Sequence, residues 1–121
     1  TRLVGSEMCI RDSYMEELTI SGLAGICFFS EYYFMRFFKK YMGMSCVQYI
    51  KNVRLERAAD QFENGETNTL EVALACGFSN LSYFHREFKK KYGMTPKRFI
   101  SLSARAADFH EIVNNYHFYD S

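Results

Sequence analysis

Tyr33-Phe34-Met35-Arg36-Phe37-Phe38-Lys39-Lys40-Tyr41-Met42-Gly43-Met44 is a stretch that the chain uses twice. Fifty residues later it returns as Tyr83-Phe84-His85-Arg86-Glu87-Phe88-Lys89-Lys90-Lys91-Tyr92-Gly93-Met94. Eight of the twelve positions are identical. Upstream, Ala24 and Ser30 match Ala73 and Ser79 at an offset of 49, so the second copy holds one extra residue in the turn between. A repeat of this kind marks two copies of one supersecondary unit.

Each copy reads as two short helices around a tight turn. In copy two, Asn68 or Thr69 caps a first helix that runs to Ala75. Cys76-Gly77-Phe78-Ser79 is the turn, with Gly77 free to take a positive φ. A second helix from about Asn80 to Tyr92 ends at Gly93. Leu81, Phe84 and Phe88 fall at i, i+3 and i+7 and face inward, with Arg86, Lys89 and Lys90 on the other side. In copy one, Thr19 caps a helix from Ile20 to Ile26, and Ser30 to Met42 forms the second helix. Its inward face is Phe34, Phe37, Phe38 and Tyr41, and Gly43 ends it. Phe28 stands where copy two has Gly77. Gly22 and Gly25 weaken the first helix of copy one by about 1 kcal/mol each relative to Ala.

Between the copies, Ser45 to Phe62 forms one helix. Ser45 and Gln48 make a capping box at its start. Val47, Ile50, Val53, Arg54, Ala58 and Phe62 form its stripe, and Gly65 marks its end. At about 1.5 Å per residue this rod is about 27 Å long. Thr95-Pro96 opens a last helix through Phe99 and Leu102. Asn114-Asn115 reads as its stop, and the final residues as a frayed tail.

The start of the chain reads differently. Residues 3–12, from Leu3 to Asp12, show no helical or strand period. They resemble the translation of a transposase-type sequencing adapter, and Arg2 fits the same frame. On that reading residues 1–13 are a disordered, non-native segment, and the native sequence begins near Tyr14. No signal peptide is read there.

Composition bounds the function. The 121 residues are one domain's worth, 48% hydrophobic and 24% charged, which excludes bulk disorder. One Pro and 7 Gly favour helices over a turn-rich sandwich. No apolar run is long enough to span a membrane. The four cysteines form no CxxC pair and have no His at ligand spacing, so they read as reduced thiols of a cytoplasmic protein. No metal and no cofactor is expected. There is no nucleophile with a nearby base, no carboxylate pair and no phosphate-cradling glycine loop, so no catalytic residue is assigned. Net charge is only +1. Residues 14–100 are net basic and the flanks net acidic, with the cations clustered on the two repeated helices.

Two helices at a sharp turn, the second one basic, make a helix-turn-helix. Two such units on a rigid rod are more specific than one. Major grooves on one face of DNA recur about every 34 Å, which suits a rod of this length. The expected fold is all-α: two helix-turn-helix subdomains joined by a long linker helix, a homeodomain-like bundle. Its parts are residues 14–44, the linker 45–64, residues 65–100, and a helical extension over 101–121.

The residues also carry a family resemblance. Leu18-Thr19-Ile20, Leu23-Ala24, Ser30 and Tyr33-Phe34-Met35-Arg36-Phe37-Phe38-Lys39-Lys40 with Gly43 resemble the first half of the AraC/XylS-type regulator DNA-binding domain. Tyr49-Ile50, Arg54-Leu55 and Ala58-Ala59 resemble its linker helix. Val72-Ala73, Gly77-Phe78-Ser79, Ser82-Tyr83-Phe84, Arg86, Phe88-Lys89-Lys90, Gly93-Met94-Thr95-Pro96 and Phe99 resemble its second half, the most specific part. The resemblance covers about residues 14–100. The family's first helix is missing from it, because the adapter-like segment stands in its place. The family also joins this domain to a sensor or receiver domain, which this sequence does not contain.

Carried over by position, the resemblance makes Glu31, Tyr32, Met35 and Arg36 the base-facing residues of the first reading helix. Asn80, Leu81, His85 and Arg86 are those of the second. A guanidinium binds guanine O6 and N7 together, which favours Arg36 and Arg86. Asn80 either reads adenine or caps its helix, and His85 touches base or phosphate. Lys39, Lys40, Lys89, Lys90 and Lys91 would neutralise phosphates. The expected partners are double-stranded DNA and RNA polymerase, with no membrane. The competing reading is a helical protein-interaction module whose basic faces meet acidic partners.

Overall fold

In the computed structural model, which describes the backbone of residues 2–120 and the side chains of residues 3–112, seven α-helices follow one another. They are α1 (Arg2–Ser13), α2 (Ile20–Ile26), α3 (Glu31–Met42), α4 (Cys46–Glu63), α5 (Thr69–Ala75), α6 (Leu81–Tyr92) and α7 (Pro96–Asp120). No strand occurs among the described residues. The all-α expectation is borne out. Ser121 and the side chains of residues 113–120 lie outside the described residues, and with them the fraying tail; the bounds of α7 do not take the stop expected at Asn114-Asn115.

Short polar residues set the helix starts. Thr19, Ser30, Ser45, Asn68 and Asn80 each accept a hydrogen bond from the backbone N–H three residues on. Each cap satisfies one orphan donor, a contribution of about 1 kcal/mol. Gly43 and Gly93 end α3 and α6 in the left-handed region, with φ of 79° and 74°. One half of the expected capping box is absent. Ser45 accepts the Gln48 N–H, but Gln48 Nε2 donates to Asn52 Oδ1 instead of reaching back.

There are two hydrophobic cores, and α4 belongs to both. Its first half gives Cys46, Tyr49, Ile50 and Val53 to the core of α1–α3. Its second half gives Leu55, Ala58, Ala59 and Phe62 to the core of α5 and α6. In α1, Leu3, Ser6 and Ile10 are buried at the spacing of Leu55, Ala58 and Phe62. At the other end, Pro96, Phe99 and Ile100 of α7 repeat Cys46, Tyr49 and Ile50. The repeated unit is therefore longer than the twelve-residue match: one helix opens it and the next closes it. Tyr14 is partly buried against both cores.

This corrects the reading of residues 1–13 as disordered. Arg2–Ser13 is α1, and it fills the place where the family's first helix was expected to be missing. Only three described residues of the segment are fully buried, with Cys9 half-buried beside them, and the middle one of the three is a serine, so no apolar period is visible. Ser6 is buried because its Oγ donates to the Leu3 carbonyl at 2.8 Å. Gly5 admits α2 closely: a Cβ there would stand 3.1 Å from Ile26 Cγ2. Tyr49 of α4 donates to Glu7 Oε1 at 3.1 Å, tying α1 down from the other side.

Three side chains expected inside are outside. Tyr41 and Val47 are about two-thirds exposed, and Leu81 is 38% exposed. The buried arc of α3 is only Phe34 and Phe38, and that of α6 is Phe84, Glu87 and Phe88. Each fully buried Phe contributes about 1.5–3 kcal/mol through area removed from water.

Candidate nucleic-acid interface

The first helix of each unit ends in the same six-residue motif. Phe29 N–H donates to Ala24 O and Phe28 N–H to Gly25 O; Phe78 N–H donates to Ala73 O and Gly77 N–H to Leu74 O. The motif needs a left-handed residue at its turn. Unit two uses Gly77, at φ 97°. Unit one uses Phe28, at φ 60°, with the ring 88% exposed. A left-handed L-residue costs about 1–2 kcal/mol. The motif swings the chain into α3 and α6, whose caps then fix where the second helices begin.

On α3, Glu31, Tyr32, Met35, Arg36, Lys39 and Lys40 are all exposed. Met35, Arg36 and Lys39 share a shallow groove with Ile20 and Val47. Arg36 Nη1 donates to the Tyr32 hydroxyl at 2.7 Å, and its guanidinium lies over the Tyr32 ring. That contact presents the guanidinium while occupying one of its donors. Lys40 has no carboxylate at ion-pair distance among the described residues.

On α6, Leu81, His85, Arg86 and Lys89 line one open groove. Leu81 therefore lies on the exposed face with His85 and Arg86 rather than in the core. Asn80 Oδ1 accepts the Tyr83 N–H at 2.9 Å, so its oxygen is engaged as the helix cap. Arg86 packs on the Tyr83 ring, with no ion pair or hydrogen bond among the described residues.

The basic run of α6 is less available than its sequence implies. Lys91 Nζ lies 3.6 Å from Glu56 Oε1 of α4, which turns it to the linker side. Lys90 Nζ lies 3.4 Å from Glu87 Oε2. Glu87 is the buried acid that sequence reasoning overlooked. Lys51 of α4 donates to its Oε1 at 2.6 Å. That hydrogen bond, and then the Lys90 ammonium, hold the carboxyl below the usual carboxylate range against the upward push of burial. The signal was in the repeat: an acid stands where copy one has Phe37.

Arg54 was read as part of the α4 stripe, and it does more. Its Nε donates to the Tyr14 carbonyl at 2.7 Å and its Nη2 to the Glu16 carbonyl at 2.8 Å. Both bonds pin the segment between α1 and α2 against the turn of unit two. A Cβ on Gly77 would stand 2.8 Å from Tyr14 O and 2.9 Å from Arg54 Nε. Cys27, Cys46 and Cys76 are buried and Cys9 is half-buried. Burial pushes the thiols of Cys46 and Cys76 up to about 11. No group of His, Cys, Asp and Glu among the described residues is arranged to hold a metal ion.

A family model described as a helix-turn-helix domain matches residues 23–101. A probable AraC family transcriptional regulator from Rhodopseudomonas palustris has the same fold at a TM-score of 0.77, with 28% identity over 84% of this chain and 96% of that one. The chain belongs to the AraC/XylS-type helix-turn-helix family. As in that family, it is a DNA-binding transcription regulator domain. AdaA of Bacillus subtilis, a bifunctional transcriptional activator and DNA repair enzyme, is 38% identical over 94 residues. The match covers 78% of this chain and 44% of AdaA, so the chain spans less than half of that relative. The DNA-binding domain of AdpA, solved with a target DNA, matches in fold at a TM-score of 0.78 and 22% identity, over 83% of this chain and 90% of that one.

No helix of the described residues is long and apolar enough to cross a membrane.

Proposed function

We propose that this AraC/XylS-type domain reads two successive major-groove segments on one face of DNA, α3 in one and α6 in the next. The observation that carries the reading is the pair of matched reading faces at the two ends of α4, a helix shared by both cores. A rod of eighteen residues at about 1.5 Å each spans about 27 Å, and the side chains at its ends bring the helices near the groove repeat of about 34 Å. A single chain then covers both segments without dimerising.

Base reading falls to Arg36 and Arg86 first, with Glu31, Tyr32, Met35, Leu81 and His85 beside them. Asn80 acts through its cap, with its amide N–H₂ left for a base or phosphate. Phosphates are met by Lys39, Lys40 and Lys89; Lys90 and Lys91 contribute less, because each is paired within the protein. The domain is a binding module and not an enzyme. It works in the cytoplasm as part of a longer regulator in which a sensor or receiver domain supplies the signal and RNA polymerase is the further partner.

The test is titration against a duplex obtained by selection, at several salt concentrations. Phosphate neutralisation makes log K fall linearly with log salt, by about 0.9 per phosphate contact. Binding that is indifferent to duplex sequence would return the interaction-module reading.

A further inference from the structure

We propose that Glu87 is a charge-limiting positioning residue: anchored by Lys51 of α4, it holds the ammonium group of Lys90 on the flank of α6 and keeps it off the DNA phosphates. The inference rests on α6 being a reading helix, and it adds what limits the sequence-independent part of its affinity.

Glu87 follows Arg86 directly, yet its carboxylate is only 7% exposed. It cannot swing into solvent, so the lysines come to it. Lys51 Nζ sits 2.6 Å from one oxygen and Lys90 Nζ 3.4 Å from the other. The carboxyl is held below its usual range by those lysines, so it is ionised at neutral pH. Lys90 is itself 70% exposed, so an ammonium released from Glu87 would be open to solvent and to a phosphate. The two copies supply the comparison. Copy one has Phe37 at this position and Lys40 in place of Lys90, and no carboxylate among the described residues stands at ion-pair distance from Lys40. Of the three lysines in the last turn of α6, only Lys89 has no carboxylate partner among the described residues.

Each lysine brought to a phosphate adds about 0.9 to the salt slope, which is up to about tenfold in affinity at 0.1 M salt. Glu87 therefore withholds about one such contact. A merely structural acid and a charge-limiting one differ in sign. Losing the first weakens DNA binding, and losing the second strengthens it.

The experiment measures binding of the whole chain to a random-sequence duplex between about 50 and 200 mM salt. Glu87→Gln is expected to bind up to about tenfold tighter at low salt, with a slope steeper by about one. Glu87→Gln with Lys90→Gln is expected to return the slope to the parent value. Lys89→Gln is the standard, and its slope should be shallower by about one. If Lys89→Gln behaves so but Glu87→Gln binds equally or more weakly, the inference is overturned and the reading of α6 stands. If no variant shows salt-dependent binding, the reading itself fails. Should circular dichroism show Glu87→Gln unfolded, Lys90→Gln alone decides: an unchanged slope supports the proposal, and a slope shallower by about one overturns it.

Discussion

The two units share one plan and differ in how it is held. Unit two has a glycine at its left-handed turn, an asparagine cap on each helix and a buried acid that fastens α6 to α4. Unit one puts Phe28 at the turn, two glycines in α2 and Phe37 in place of the acid. Its opening helix, α1, buries a serine where α4 buries Ala58. The lesson is that one chain pattern tolerates a strained and a relaxed version. The strained one is expected to open more easily, and the relaxed one is the more tightly charge-paired. The denser basic run of α6 offers fewer unpaired cations than its sequence shows, because two of its three lysines are paired at home.

Truncation tests the comparison hardest. Removing residues 1–13 uncovers the core around Leu23, Phe34 and Phe38 and deletes Leu3 and Ile10. Two such side chains are together about 3–6 kcal/mol of burial. Hydrogen exchange should then show unit one opening well before unit two. Equal protection in both halves would mean that α1 contributes nothing to unit one.

Next comes Gly77→Ala. It forces an L-residue into the left-handed region and drives a Cβ into Tyr14 O and Arg54 Nε. Strain and overpacking together should cost about 2–4 kcal/mol. Thermal unfolding measures it, and a neutral result would remove Gly77 from the contact between units.

Unit one responds in the opposite direction. Phe28→Gly relieves the strain at φ 60° and should stabilise by about 1 kcal/mol. Gly25→Ala should add about 1 kcal/mol more, since a Cβ there meets nothing within 4 Å. If both variants are destabilised in urea, unit one is not the strained version.

The smallest effect is on pH. The Glu87 carboxyl lies lower in the folded chain than its ordinary value of 4.5. Its contribution to stability is therefore whole above that value and fades as the pH falls through the lowered folded pKa. Urea midpoints between pH 6 and pH 3 should show this component in the parent and not in Glu87→Gln. The same fade in both would assign it to other carboxylates.

Much of this was legible in the sequence. The repeat, the caps at Thr19, Ser45 and Asn68, the glycine stops and the Phe34/Phe38 and Phe84/Phe88 pairs follow from local rules. α1 was not legible, because Ser6 broke the apolar period and its burial depends on a bond to its own helix. The outward turn of Tyr41 and Leu81 was hidden by the same logic: spacing names a side of the helix, but only the neighbouring helices set how wide the buried arc is. At the reading faces, which lysines are available was invisible, because Glu56–Lys91 and Lys51–Glu87 join residues more than thirty positions apart.

The central claim is that each reading helix addresses its own groove segment. Scanning every position of a selected duplex with the parent, Arg36→Ala and Arg86→Ala tests it most directly. Each variant should lose about 1–3 kcal/mol on the selected duplex and relax base preference at one place only. The two places should lie about one helical turn, 10–10.5 base pairs, apart. If both arginines weaken selected and random duplexes equally, or relax the same position, the two helices do not read two segments.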